Sequence, residues 1–437
     1  VDLVIEAAPE ALELKRQVFA ELDRVCRSGT VFATNTSSLS VTEIGAMTAR
    51  PGRVVGMHFF NPAPQMRLVE VVRGAVTSAE AAQSVTDLAV RFGKTPVAAK
   101  DTPGFIVNRV ARSFSGEALR ILGEHVAEIR QIDRLARLAG GFRMGPFELM
   151  DLVGMDVNFA VNRSVFEQFF YEPRYRPHPL QAQMVKANLL GRKTGAGWYR
   201  YAGEDLVDGP AGPECFGQPA ARPAEVRLVC VLGDDAMADL VQAAGYRLTA
   251  LPGAADVLVL GDSTLKAAPT RPDTLVLVEA STQTVTRWAA AHGPQPGLVV
   301  GYGGVPSVAE RQAVEVVPGL RTSTSAVHLA VAFCRSLGRD VEVIQDGPGL
   351  VVPRLFACLV NEAAYALMEG VATAGDIDTA LKLGVNYPAG PLAWADAIGP
   401  DRVLRILEGL QTHTGDDRYR PCPGLIHVAL AGLRFHT

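Results

Sequence analysis

The sequence predicts an α/β unit followed by an all-α unit, with a degenerate copy of both behind them. Three observations carry that expectation. Apolar strand segments alternate with helix-length segments up to about residue 100, the pattern of a largely parallel sheet covered by helices. From Asp101 the alternation gives way to apolar-periodic stretches that run to about residue 190. Finally, adding 245 to each number aligns residues 101–154 with 346–399 without a gap, and 18 of these 54 positions are identical.

Leu3 to Ala7 reads as a strand, Pro9 to Cys26 as a helix, Val31 to Asn35 as a strand and Val41 to Met47 as a short helix. The stretch Val54-Val-Gly-Met-His58-Phe-Phe-Asn61-Pro62-Ala-Pro64 then leads through a turn into Leu68-Val-Glu70-Val-Val. If this hairpin is symmetric about Pro64, His58 and Glu70 sit directly across from each other, with Cβ atoms roughly 4.5–5.5 Å apart. Asp101-Thr-Pro-Gly-Phe-Ile-Val-Asn108-Arg places a capping residue ahead of Pro103 and opens the helical unit. Residues 201–224, with Asp208-Gly-Pro-Ala-Gly-Pro213, read as a linker. The expected units are therefore 1–100, 101–200, the linker 201–224, a degenerate α/β unit at 225–344 and a second helical unit at 345–437. In the degenerate α/β unit, Leu228-Val-Cys-Val-Leu-Gly233-Asp-Asp235-Ala-Met-Ala238 has the strand-turn-helix form of a nucleotide loop. It does not suit a diphosphate, because Asp235 and Ala238 stand at two of the three glycine positions and Asp234-Asp235 would face the anion.

The repeat is also an internal control. Under the shared offset Glu70 becomes Glu315, while His58 becomes Gly303, Ser37 becomes Thr282 and Asn108 becomes Pro353. The second copy keeps the scaffold and loses the polar groups, which favours a chemical role for His58, Ser37 and Asn108. Glu315, without a histidine, reads most simply as a solvated or ion-paired strand carboxylate.

Bulk properties exclude several classes. The 437 residues are 48% hydrophobic and 20% charged, as in ordinary globular domains, and a net charge of −4 offers no basic surface for nucleic acid. No stretch approaches twenty uninterrupted apolar residues. Cys26, Cys215, Cys230, Cys334, Cys358 and Cys422 are scattered with no Cys-x-x-Cys pair, so neither a metal site nor a disulfide framework is expected, and the cytosol is the expected compartment. The chain opens at Val1 inside an apolar strand, which raises the expectation that upstream sequence is missing.

An imidazole titrates near neutrality, and a carboxylate on one ring nitrogen fixes the tautomer while the other stays free to take a proton. The bland alternative is a structural histidine satisfied by a neighbouring acid. Asn108 in an apolar helix needs a partner, either a reacting oxygen or a nearby backbone group. Glu10 follows a strand at its carboxyl end, where ligands bind in parallel sheets, or is simply a helix N-terminal acid.

Together, Asn35-Thr-Ser37-Ser-Leu, His58-Phe-Phe-Asn61-Pro, Leu-Val-Glu70-Val, Asp101-Thr-Pro-Gly-Phe-Ile-Val-Asn108-Arg and Lys193-Thr-Gly-x-Gly-Trp-Tyr resemble the L-3-hydroxyacyl-CoA dehydrogenase family. The resemblance covers residues 1 to about 201, and the second helical unit resembles the longer bacterial members. It implies a partial Rossmann-like NAD-binding domain, an acyl-CoA substrate, and oxidation of (S)-3-hydroxyacyl-CoA to the 3-keto thioester. By the same resemblance His58 is the base, Glu70 its orienting carboxylate, and Ser37 and Asn108 contact the substrate oxygen. Glu10, Lys15, Ser37, Asn61 and Lys193 would contact NAD. The glycine-rich pyrophosphate loop and the coenzyme A residues are expected upstream of Val1. The two helical units are expected to pack as an intrachain pseudo-dimer, leaving further homo-oligomerisation open. A hydroxyacid or sugar-acid dehydrogenase of the same superfamily and an inactive acyl-CoA-binding fragment are the alternatives.

Overall fold

The computed structural model describes every residue except 204, 211, 213–217, 262–269, 293–294 and 437. Its first sheet has the order β1 (Leu3–Glu6), β2 (Val31–Thr34), β3 (Val54–Phe59), β4 (Leu68–Arg73) and β5 (Thr95–Lys100). The first three strands are parallel, β4 returns antiparallel to β3, and β5 runs parallel to β4. β2, β3 and β4 are almost wholly buried, which is why they read as continuous apolar runs and not as alternating ones. Helix Val41–Ala46 lies close on this sheet at Gly56, where a Cβ would come within 2.9 Å of Val41 Cγ2 and 2.7 Å of Val72 Cβ.

A helical unit follows, built from Val107–Val110, Arg112–Gly123, Ile129–Leu138, Pro146–Val153, Met155–Gln168 and Pro179–Lys186. Asp133 accepts from the backbone N–H groups of Phe147 and Glu148, both at 2.9 Å, and so satisfies the start of the helix that begins at Pro146. The linker expected from 201 begins later than that. Tyr201–Ala202 (β6) and Asp205–Leu206 (β7) pair as a small hairpin, and the Tyr201 hydroxyl donates to Asp151 at 2.9 Å. A buried tyrosine with a partner outweighs the surrounding glycine and acid content; residues 204, 211 and 213–217 of that stretch lie outside the described residues.

The second sheet comprises β8 (Leu228–Leu232), β9 (Arg247–Leu248), β10 (Val257–Leu260), β11 (Leu275–Glu279), β12 (Val299–Tyr302), β13 (Ala313–Pro318) and β14 (Asp340–Val343), in the order β14-β13-β12-β11-β10-β8-β9. β4 plus 245 gives the bounds of β13, and β12 and β13 are antiparallel as β3 and β4 are. Asp234 caps helix Asp235–Ala243 through Met237 N at 2.9 Å, so the acid that argued against a diphosphate has a local role.

The second helical unit, with Val352–Met368, Ala374–Gly384, Pro391–Ile398, Pro400–Thr414 and Pro423–Leu430, packs on the first. Their contact is reciprocal. Arg109 Nε donates to Glu362 at 2.7 Å and Arg354 Nε to Glu117 at 2.6 Å, with each pair related to the other by 245 residues. Tyr175 donates to Glu362 and Tyr419 to Glu117, both at 2.6 Å. Arg109, Arg354 and Glu117 are fully buried, so each charge depends on its partner in the other unit. The pseudo-dimer expected from the sequence gives no sign of this ionic cluster, which emerges only from the packing.

Arg354→Ala is expected to cost ~3–5 kcal/mol in urea unfolding by removing the shorter of the two ion pairs of buried Glu117, and Arg354→Met with Glu117→Gln should recover most of it. Burial by itself would raise Glu117, but the Arg354 and Arg418 guanidinium groups outweigh it and hold the carboxyl at about 2. A depressed carboxylate stabilises fully above its ordinary value, so this contribution should vanish as pH falls from about 4.5 toward about 2, read as a drop in Tm that Glu117→Gln does not show.

Candidate active site

The hairpin register places His58 opposite Glu70, and the imidazole Nδ1 lies 2.6 Å from Glu70 Oε2. Both side chains are buried, and the rings of Phe60 and Phe105 stand 4.6 and 5.8 Å from that of His58. A carboxylate on Nδ1 makes it the protonated nitrogen, which leaves Nε2 with a lone pair. Among the described residues nothing bonds Nε2. The second oxygen of Glu70 is engaged elsewhere, because Oε1 accepts from Ile106 N at 3.1 Å and Val107 N at 2.9 Å. These are the orphan donors at the start of helix Val107–Val110, so Glu70 fastens the helical unit to the sheet.

That fastening brings Asn108 to the mouth of the sheet, where its Nδ2 lies 3.5 Å from Ser37 O, a long contact that leaves the amide free to turn. Ser37 follows β2, and Asn35 Oδ1 ties the same segment to β3 by accepting from Phe59 N at 2.8 Å. Glu10 organises the loop from below: its Oε1 accepts from Ser37 N and Ser38 N at 2.8 Å and from the Thr36 hydroxyl at 2.7 Å. Burial would raise the Glu10 carboxyl, but these donors outweigh it and hold it below the ordinary range. Hydrogen bonds thus link His58 to Glu70, Glu70 to the start of the helix that carries Asn108, Asn108 to Ser37, and Ser37 to Glu10.

Three expected cofactor contacts stand differently. Lys15 is fully buried, with its ammonium 2.8 and 2.9 Å from the two Glu6 oxygens and 3.6 Å from Glu10 Oε2, so it supports the Glu10 loop and presents no surface of its own. Asn61 lies on the exposed turn after β3. Lys193 is half exposed on the turn Arg192–Thr194 and pairs with Asp156, whose carboxyl that hydrogen bond lowers. Glu6 and Asn35 support the site without having been expected there from the sequence. A glutamate inside an apolar strand is the available signal for Glu6, whose Oε2 also accepts from Thr34 at 2.7 Å.

The second copy separates scaffold from chemistry. Glu315 is not solvated: it is fully buried, and its Oε1 accepts from Val351 N at 2.9 Å and Val352 N at 2.8 Å, as Glu70 does for its own helical unit. At Gly303 a Cβ would lie 2.1 Å from Glu315 Oε2, so the carboxylate occupies the room that His58 fills in the first copy. Fastening the helix is common to both copies; the imidazole belongs to one.

Glu10 is about one-third exposed, beyond the carboxyl end of β1 and beside Ser37. Residues 1–102 match the NAD binding domain of 3-hydroxyacyl-CoA dehydrogenase, and residues 104–201 and 349–433 match its C-terminal domain. The chain belongs to the 3-hydroxyacyl-CoA dehydrogenase family. It is 42% identical over 98% of its length to the 3-hydroxyadipyl-CoA dehydrogenase of Escherichia coli K12, of which it covers 81%. It is also 45% identical, over 46% of its length, to a 3-hydroxybutyryl-CoA dehydrogenase of Clostridioides difficile, covering 71% of that protein. A crystal structure of 3-hydroxybutyryl-CoA dehydrogenase from Escherichia coli K12 shares its fold with a TM-score of 0.81 and 40% identity over 99% of this chain and 82% of that one. The family is one of NAD-dependent oxidoreductases, and the Rossmann-like, largely parallel sheet followed by helices is its architecture in this chain.

Because Glu6 is buried around the Lys15 ammonium, Lys15→Met is expected to cost roughly 3–5 kcal/mol. Faster amide hydrogen exchange at Ser37 and Ser38 should accompany it, since the support of Glu10 goes too; protection unchanged at both amides would contradict this coupling.

Proposed function

We propose that this chain oxidises (S)-3-hydroxyacyl-CoA to 3-ketoacyl-CoA with NAD, His58 being the base. The observation that carries the reading is the His58–Glu70 pair, with its tautomer fixed and Nε2 unbonded, in a chain of this family. NAD, when bound, accepts the hydride that leaves C3 of the substrate. His58 Nε2 takes the hydroxyl proton, and Glu70 steadies the imidazolium that results. Asn108 Nδ2 and the Ser37 hydroxyl hold the oxygen as it becomes a carbonyl, donors that matter most when charge develops there. Glu10, Asn61 and Lys193 are proposed as contacts of the cofactor, and Lys15 as a support of Glu10. Phe60 and Phe105 beside the imidazole keep water from it.

The relative matched over nearly the whole chain is named for 3-hydroxyadipyl-CoA, so a six-carbon acyl group with a terminal carboxylate is proposed alongside the four-carbon one. Among the described residues no helix is long and apolar enough to cross a membrane, and a cytosolic setting is proposed from the unpaired cysteines.

His58→Gln is expected to lower kcat by about two to four orders of magnitude while NAD affinity, measured by titration, stays within about twofold. Wild-type protein should reduce acetoacetyl-CoA with NADH and leave gulonate unoxidised with NAD. Turnover of gulonate without turnover of either thioester would reject the acyl-CoA reading.

A further inference from the structure

The second half of the chain reaches the catalytic hairpin. Helix Ala374–Gly384 ends against the first sheet, and Gly384 sits where three segments converge. A Cβ on Gly384 would lie 2.8 Å from Leu68 Cδ2, 3.0 Å from Val107 Cγ2 and 3.5 Å from Phe60 Cε1. Each of these residues neighbours a group of the site. Leu68 lies two positions before Glu70 on β4, Val107 directly precedes Asn108, and Phe60 lies two positions after His58 with its ring 4.6 Å from the imidazole. The second helical unit also anchors nearby, because Lys100 N donates to Val371 O at 2.8 Å.

The internal repeat shows that glycine is not required by the fold at this place. Gly384 minus 245 is Ala139, at the end of helix Ile129–Leu138, which meets the second sheet where Gln312 N donates to Leu138 O at 2.9 Å. There the counterparts of Phe60 and Leu68 are Val305 and Ala313, all buried. Ala313 shares a core cluster with Ala139, so there a Cβ on the helix goes with a small strand residue, whereas the absent Cβ of Gly384 goes with the larger Leu68 in the copy that carries the histidine.

We propose that Gly384 is a positioning residue for the reaction: through Phe60, Leu68 and Val107 it sets the relative placement of His58, Glu70 and Asn108, so the duplicated half completes the first site. This rests on the function proposed above for the reading of turnover, but not for the geometry. A Cβ at 384 presses on Leu68 and Val107 while meeting Phe60 at ordinary contact, so the bulkier valine crowds this junction further, and an interior packed to crystal density transmits such a displacement. Displacing reacting groups by about 1 Å costs on the order of a hundredfold in rate.

The test is Gly384→Val and Gly384→Ala in the full chain, with Leu68→Ala added to Gly384→Ala to recreate the pairing of the second copy. Two readouts are needed: kcat and KM for the thioester, and the downfield NMR signal of the proton between His58 Nδ1 and Glu70 in protein without ligands. In Gly384→Val, kcat should fall on the order of a hundredfold with NAD affinity within about twofold, and the proton signal should shift or disappear. In Gly384→Ala/Leu68→Ala both should return toward the wild type. A Gly384→Val protein with wild-type kcat and an unmoved signal overturns the proposal, as does a loss tracking only the unfolded fraction seen by circular dichroism. If the wild type turned over no hydroxyacyl thioester, the proton signal would still decide the placement, and the proposed function alone would fail.

Discussion

One carboxylate, Glu70, holds the site together by dividing its oxygens between two units. Oε2 fixes the imidazole 2.6 Å away, and Oε1 receives the first N–H groups of the helix that carries Asn108. A buried charge is tolerated only where hydrogen bonds satisfy it, and here they come from the neighbouring strand and from the helical unit. His58 and the helix that carries Asn108 are thus both placed by one side chain. Glu315 shows that the fastening half of this arrangement stands without the catalytic half.

The parts legible in the sequence are those decided locally. A hairpin with a strand period of two fixes who faces whom, so the pairing of positions 58 and 70 could be read from the turn between them. The alternation of strands and helices likewise needs only local patterning, and the repeat needs only the chain itself. What stayed hidden depends on distant partners. Lys15 reads as a surface lysine on a helix until Glu6 and Glu10 are seen around it. Arg109 and Glu362 are separated by more than half the chain, and nothing near either one announces the other. Glu315 reads as solvated or ion-paired because a strand carboxylate gives no local sign that a helix will dock on it.

The second half matches the first in the layout of its strands and helices, not in the polar groups of the site. The two helical units meet through mirrored Arg–Glu–Tyr clusters, an isologous contact of the kind two identical subunits would make, within one chain. Once both halves are on one chain, the sequences on the two sides of the pseudo-axis can diverge. One copy kept His58, Ser37 and Asn108, while the other closed its imidazole position with a glycine and a buried carboxylate.

Whether His58 and Glu70 act as one unit is decided by a double-mutant cycle on kcat/KM for 3-hydroxyacyl-CoA oxidation with His58→Gln, Glu70→Gln and both. Glutamine at 70 keeps an oxygen for Ile106 N and Val107 N, so the helix stays fastened while the imidazole loses its charged partner. If Glu70 acts through His58, the double variant should be no worse than His58→Gln within about threefold, since the effects of coupled side chains do not add. Losses that multiply would show that the two act separately, and would contradict the dyad.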